Sequence, residues 1–120
     1  MGRRLNDIMR HLTELHNEYE FDRVYFEDIQ MQASVVTYCH LAYVQAAVIL
    51  WCYYNQIPYR IYSPSTWRSV VGGNFGRKRD EQKATAIQRV RDLYEKDVSS
   101  DEADAILIGL AGILDTSKAF

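Results

Sequence analysis

The sequence has few residues that break or staple a chain: two prolines, six glycines and two cysteines in 120 residues. So few prolines leave room for long helices. Cys39 and Cys52 fall in one apolar stretch, on different turns of a helix and with no Cys-x-x-Cys. That argues against a disulfide framework or a thiolate metal site and reads as reduced core residues of a cytoplasmic protein. No collagen-like, low-complexity or repeated segment is present. The charged N-terminus MGRRLNDIMRHL lacks the uninterrupted apolar run of a signal peptide. With 48% hydrophobic and 25% charged residues, the chain is large enough to form one domain with its own core, and a single domain over residues 1–120 is expected.

Charge is absent from Ile29 to Tyr59, and Val35 to Tyr54 is apolar over most of its length. Such a stretch is long enough to span a bilayer. Against a span stand Thr37, His40 and Gln45 within it, the polar borders Gln30, Gln32, Asn55 and Gln56, and the strand-like pattern that follows directly. The preferred reading is a helix buried on most sides, in the core and against a partner, with no membrane.

A net charge of −2 would argue against nucleic acid if it were evenly spread. Instead Arg68, Arg77, Lys78, Arg79, Lys83, Arg89 and Arg91 face only Asp80 and Glu81 over one segment, and the sign reverses from Asp92 to Asp104. A basic segment beside an acidic cluster suits a metal-dependent phosphodiesterase, in which cations hold the backbone and carboxylates the metal. Two solvated helix faces would give the same pattern.

Apolar spacing at Leu5, Ile8, Met9, Leu12 and Leu15 predicts a helix over Arg3 to Glu18. A strand is predicted over Asp22 to Glu27, covered on both sides, and a long helix from an N-cap at Ser34 to about Asn55. A second strand follows over Tyr59 to Tyr62, then a short helical turn over Thr66 to Val70 and a glycine loop from Val71 to Gly76. A helix over Asp80 to Glu95 is expected to turn Ala84, Ile87, Val90 and Tyr94 to one face, and the last helix runs from Ser99 to about Asp115. Strands joined by a crossover helix are parallel. Two strands make a poor sheet, so another copy of the chain or a second polypeptide is expected to pair with the apolar edge.

Glu27 closes the first strand, and Asp101 and Asp104 share one face at the start of the last helix. If that face meets the strand end, the three converge on a point favoured by a hard cation. Acidic residues in a first turn also stabilise a helix through its dipole, which would account for Asp101. Ser99 and Glu102 fit a capping box, which leaves Glu102 without a catalytic role. Asp104 lies between Ala103 and Ala105, a full turn into an apolar helix, and is harder to explain that way. His11, His16 and His40 have no ligand spacing, and Tyr53, Tyr54, Tyr59 and Tyr62 read as core or interface packing.

The stretches YFEDIQMQAS, YNQIPYRIYSPSTWRSVVGG, QKATAIQRV and SSDEADAILIGLA, in this order and spacing, resemble the RuvC family of Holliday-junction resolvases over nearly the whole chain. The resemblance implies an RNase H-like α/β fold with parallel strands, flanking helices and a long central dimerisation helix. It also implies a crossover-junction endodeoxyribonuclease lineage that hydrolyses phosphodiester bonds in branched DNA with Mg²⁺ or Mn²⁺. Carried over, the strand-ending glutamate is Glu27 and the D-x-x-D pair is Asp101 and Asp104, which would bind metal. Lys83 falls where the family keeps a lysine next to the active site, and Val70-Val71-Gly72 where it keeps a V-V-G turn. Arg77, Lys78 and Arg79 would follow the DNA backbone, and Arg68 is either a phosphate contact or a surface residue. The family dimerises through the helix that corresponds to residues 35–54, and the two-fold axis matches a four-way junction.

Two departures bear on activity. Gln30 stands where many relatives have an aromatic residue. The family's first strand, whose D-x-G aspartate is the central metal ligand, and the next two strands have no counterpart before the first helix, and Asp7 lies on that helix. Loss of one carboxylate is expected to weaken metal binding and catalysis by orders of magnitude. The alternatives are therefore a dimer that binds structured DNA without cutting it, or a fragment whose sheet is completed by a partner chain.

Overall fold

The computed structural model describes residues 1–31 and 34–118, the side chains of 116–118 excepted. Gln32, one of the polar borders above, lies outside the described residues. The element order is α1 (Gly2–Tyr19), β1 (Val24–Glu27), α2 (Val35–Tyr54), β2 (Tyr59–Tyr62), α3 (Pro64–Val71), α4 (Arg79–Tyr94) and α5 (Ser100–Lys118). β1 and β2 pair as a short parallel two-stranded sheet, with α2 as the crossover. Contacts gather into two compact units, Met1–Val24 with Asp28–Arg60, and Tyr25–Glu27 with Ile61–Phe120.

In the first unit, the apolar stripe of α1 places Met9 and Leu12 on a cluster of Trp51, Cys52 and Ile57, joined by Phe21, Val24 and Val48. Trp51 is 2% exposed, and its indole N–H donates to Thr13 Oγ1 at 2.9 Å. The Thr13 hydroxyl in turn donates to the Met9 carbonyl, so the buried nitrogen is satisfied. His16 Nδ1 accepts from the Phe21 backbone N–H at 2.9 Å, and its ring meets Trp51 edge-on, so it is a structural histidine. Burial pushes the Cys52 thiol pKa up, which keeps it protonated and unreactive.

Ser34 caps α2 as expected, its Oγ accepting from the Thr37 N–H. The helix is not buried on most sides within this chain. Ala47, Trp51 and Cys52 are buried, whereas Val35, Val36, Tyr38, Leu41, Tyr43, Leu50, Tyr53 and Tyr54 are exposed. α1 covers one face of α2, and uniform apolarity round the helix leaves no sequence signal for which face that is.

In the second unit, α5 supplies the packing surface. Ala103, Leu107 and Ala111 recur every four residues, all 0% exposed, against Trp67 of α3 and Ala86 and Val90 of α4. Burying Leu107 alone contributes roughly 1.5–3 kcal/mol. Tyr25 from β1 lies against Gly112, where a Cβ would strike its ring. The buried face of α4 is Ala86 and Val90 with Ile87 beside them; Ala84 and Tyr94, expected on that face, point outward. Two similar small apolar stripes run along α4, and α5 decides between them.

Candidate active site

Glu27, half-buried, ends β1. Its carboxylate is held from the side of α3, where Ser63 Oγ accepts from the Thr66 N–H and Pro64 pre-sets the first turn. That start turns Trp67 fully inward, and its indole N–H donates to Glu27 Oε2 at 2.7 Å. The next residue, Arg68, lays its guanidinium over the Trp67 ring at 5.1 Å and within 5.9 Å of the Phe75 ring. Its Nε is buried without a hydrogen-bond partner.

α5 delivers the two aspartates. Ser99 Oγ accepts from the Glu102 N–H at 3.2 Å and donates to Glu102 Oε1 at 2.9 Å, so Glu102 is engaged at the helix start. Asp101 is exposed and Asp104 half-buried. Burial holds the Asp104 carboxyl above the usual aspartate range; Glu27 and Asp101 push it further up, while Arg68 and Lys83 pull it down. Glu27, Asp101, Asp104, Lys83 and Arg68 thus share one electrostatic neighbourhood. Arg77, Lys78 and Arg79 are exposed at the entry to α4 and are not among the charges that bear on Asp104.

The donor set is all oxygen and net negative, which suits a hard divalent cation. It is short in number: among the described residues no three His, Cys, Asp or Glu side chains are gathered closely enough to hold one ion. The chain's carboxylates therefore fit part of a coordination sphere.

Two contributors were not legible as such. Trp67 carried only a weak signal, since a buried tryptophan needs a partner for its N–H. Arg89 appeared as one of seven basic residues, yet it donates to the carbonyls of Val71 and Gly72 and lies over Phe75 at 5.7 Å. Gly73, at φ +88°, leaves the space its guanidinium fills. Arg91 is exposed and paired with Asp97, so part of its charge is offset locally and the excess of positive charge is smaller than the count of seven implies.

The family model described as crossover junction endodeoxyribonuclease RuvC matches residues 1–112. The RuvC protein of Corynebacterium diphtheriae is 26% identical over 110 residues, 92% of this chain and 67% of that protein. That of Corynebacterium glutamicum is also 26% identical over 110 residues, covering 92% and 49%. This chain therefore spans about two thirds of the first relative and half of the second. Among solved structures, Thermus thermophilus RuvC in complex with a Holliday junction substrate superposes with a TM-score of 0.75 at 16% identity, over 97% of this chain and 69% of that one. A second Thermus thermophilus RuvC structure superposes with a TM-score of 0.75 at 17% identity, over 98% of this chain and 70% of that one. The fold is α/β of the RNase H-like type seen in these structures. The chain belongs to the RuvC family of crossover junction endodeoxyribonucleases.

Proposed function

We propose that this chain carries the metal-binding and DNA-contacting part of a RuvC-type endonuclease that hydrolyses phosphodiester bonds in branched, four-way DNA. The observation that supports this most is that the charges of Glu27, Asp101, Arg68 and Lys83 all act on the half-buried Asp104 carboxyl, in a chain whose family match runs through residue 112. Reading residues 1–120 as one RuvC-like domain belongs to the same proposal, since that match runs through both compact units.

Glu27, Asp101 and Asp104 would hold Mg²⁺ or Mn²⁺, with water completing the coordination sphere. When bound, the ion would polarise the phosphodiester and stabilise the leaving oxygen. Arg68 and Lys83 favour the charged form of Asp104, against the burial and the neighbouring Glu27 and Asp101 that raise its pKa. Those two cations would attract a phosphate toward the carboxylates, and the exposed Arg77, Lys78 and Arg79 would follow the backbone.

The family relative bound to a Holliday junction supports branched DNA as the partner. The exposed apolar side chains of α2 support a homodimer through residues 35–54. α2 is also long and apolar enough to cross a membrane. Its packing against charged α1 and the free thiols of Cys39 and Cys52 favour a cytoplasmic protein. Sedimentation in detergent-free buffer should give twice the chain mass; a monomer would remove the dimer, and recovery only in detergent would revive the membrane reading.

A second reading has its own support. The lack of a ready three-ligand group among the described residues favours junction binding without cutting, or a chain that acts once a second polypeptide completes its sheet. A labelled four-way junction incubated with the chain in Mg²⁺ or Mn²⁺ separates these. Paired symmetric nicks support the nuclease reading, at a rate lowered by the missing first-strand aspartate; a shifted but intact junction points to the binding reading, and neither binding nor cutting to a chain that needs its partner.

A further inference from the structure

Trp67 stands apart from the other aromatic residues because each part of its ring system meets a different functional group. Its N–H donates to Glu27 Oε2 at 2.7 Å, its face carries the Arg68 guanidinium at 5.1 Å, and its flank meets Phe75 edge-to-face at 5.6 Å and 80°. The residue is 0% exposed and sits on a helix whose start is fixed by the Ser63 cap. A tryptophan confined in this way cannot swing to another acceptor without opening the core around Ala86, Leu107 and Phe75.

We propose that Trp67 is a positioning residue for the site, fixing the Glu27 carboxylate through its indole edge while its face holds Arg68 alongside. This rests on the reading of Glu27 as a metal ligand. Glu27 is the last residue of its strand, so backbone pairing orients only its Cα, and a half-buried carboxylate with three rotatable side-chain bonds would otherwise sample several orientations. The N–H engages one oxygen and so fixes the direction in which the second is presented. A hydrogen bond to a charged acceptor is stronger than one between neutral groups and is shielded here from water. Removing hydrogen-bond partners of ligating carboxylates typically costs about 10–100-fold in metal affinity or activity. A role confined to packing predicts no such loss once the aromatic volume is kept.

The test uses the whole chain and four proteins: unmodified, Trp67→Phe, Phe75→Leu and Asp104→Asn. Phe75→Leu disturbs the same aromatic packing but leaves the indole N–H in place. In calorimetric titration with Mn²⁺, Trp67→Phe should bind at least about tenfold more weakly than the unmodified chain, and Phe75→Leu within about threefold of it. Should Trp67→Phe and Phe75→Leu weaken Mn²⁺ binding equally, or neither weaken it while Asp104→Asn does, Trp67 is a packing residue and the proposal fails with the metal reading intact. Absence of Mn²⁺ binding by the unmodified chain overturns the metal reading, and the positioning role with it. Folding of Trp67→Phe does not limit the test, because the contact is read independently from the indole N–H resonances of Trp51 and Trp67. Glu27→Gln should shift the Trp67 signal and leave that of Trp51, bonded to Thr13, in place. An unmoved Trp67 signal would overturn the proposal by itself.

Discussion

Asp104→Asn should melt at a higher temperature than the unmodified chain at neutral pH while losing junction cleavage by more than about a hundredfold. The two effects share one cause. The native Asp104 carboxyl binds its proton more tightly than an unfolded aspartate with a pKa of about 3.9, because burial and the charges of Glu27 and Asp101 outweigh the help from Arg68 and Lys83. Between the unfolded and the raised native value the native state binds more protons than the unfolded state. Stability therefore falls as pH rises through that window and stays at its lower level above it. Asparagine keeps the shape and removes the charge, which ends the loss. Melts of both proteins from pH 3 to pH 8 should separate as pH rises, with the variant higher at pH 7. In Mn²⁺ the order should narrow or invert, because an ion bound by the native carboxylates raises only the melting temperature of the unmodified chain. A variant that melts no higher at pH 7 would mean that the charge is already compensated, and full cleavage by it would remove Asp104 from the chemistry.

Sequence patterns captured periodicity well and contact partners poorly. β2 was legible to the residue, and the starts of α2 and α5 followed from Ser34 and Ser99, since a cap is a local interaction between residues three apart. The short helix was expected over Thr66 to Val70 and runs from Pro64 to Val71, because proline at the first helical position extends it toward its Ser63 cap. The first strand begins at Val24 rather than Asp22, where the apolar alternation itself begins.

The grouping of Glu27 with the D-x-x-D pair was accessible through the i, i+3 spacing and the strand-end position. The roles of Trp67 and Arg89 were not, because both depend on which elements meet in three dimensions. Charge counting had the same weakness. Arg89, Arg91 and Arg77 counted equally, although the first holds a loop, the second is exposed but paired with Asp97, and the third is exposed at the entry to α4. The exposed face of α2 was hidden for a related reason: twenty residues with apolar groups on every side give no moment to read.

Replacing Arg77, Lys78 and Arg79 together by alanine should weaken junction binding and flatten the plot of log affinity against log salt by about 2.7, the amount expected if each side chain neutralises one phosphate. Stability should change by no more than about 0.5 kcal/mol. Lys78 caps α4 without a side-chain hydrogen bond, Arg79 opens the helix, and alanine is a strong helix former. The exchange also removes positive charge from a helix N-terminus, where the dipole disfavours it, and leaves Asp80 and Glu81 in the first turn. None of the three bears on Asp104, so cleavage at saturating DNA should keep its kcat while KM rises. Lys83→Ala and Arg68→Ala should divide differently, lowering kcat as well, because these two cations act on the carboxylate that the reaction would use. Filter binding from 50 to 300 mM salt, paired with single-turnover cleavage, measures both quantities on the same junction. An unchanged slope in the triple variant would place the backbone elsewhere on the molecule, and a fall in kcat would show that the loop reaches the carboxylates once DNA is bound.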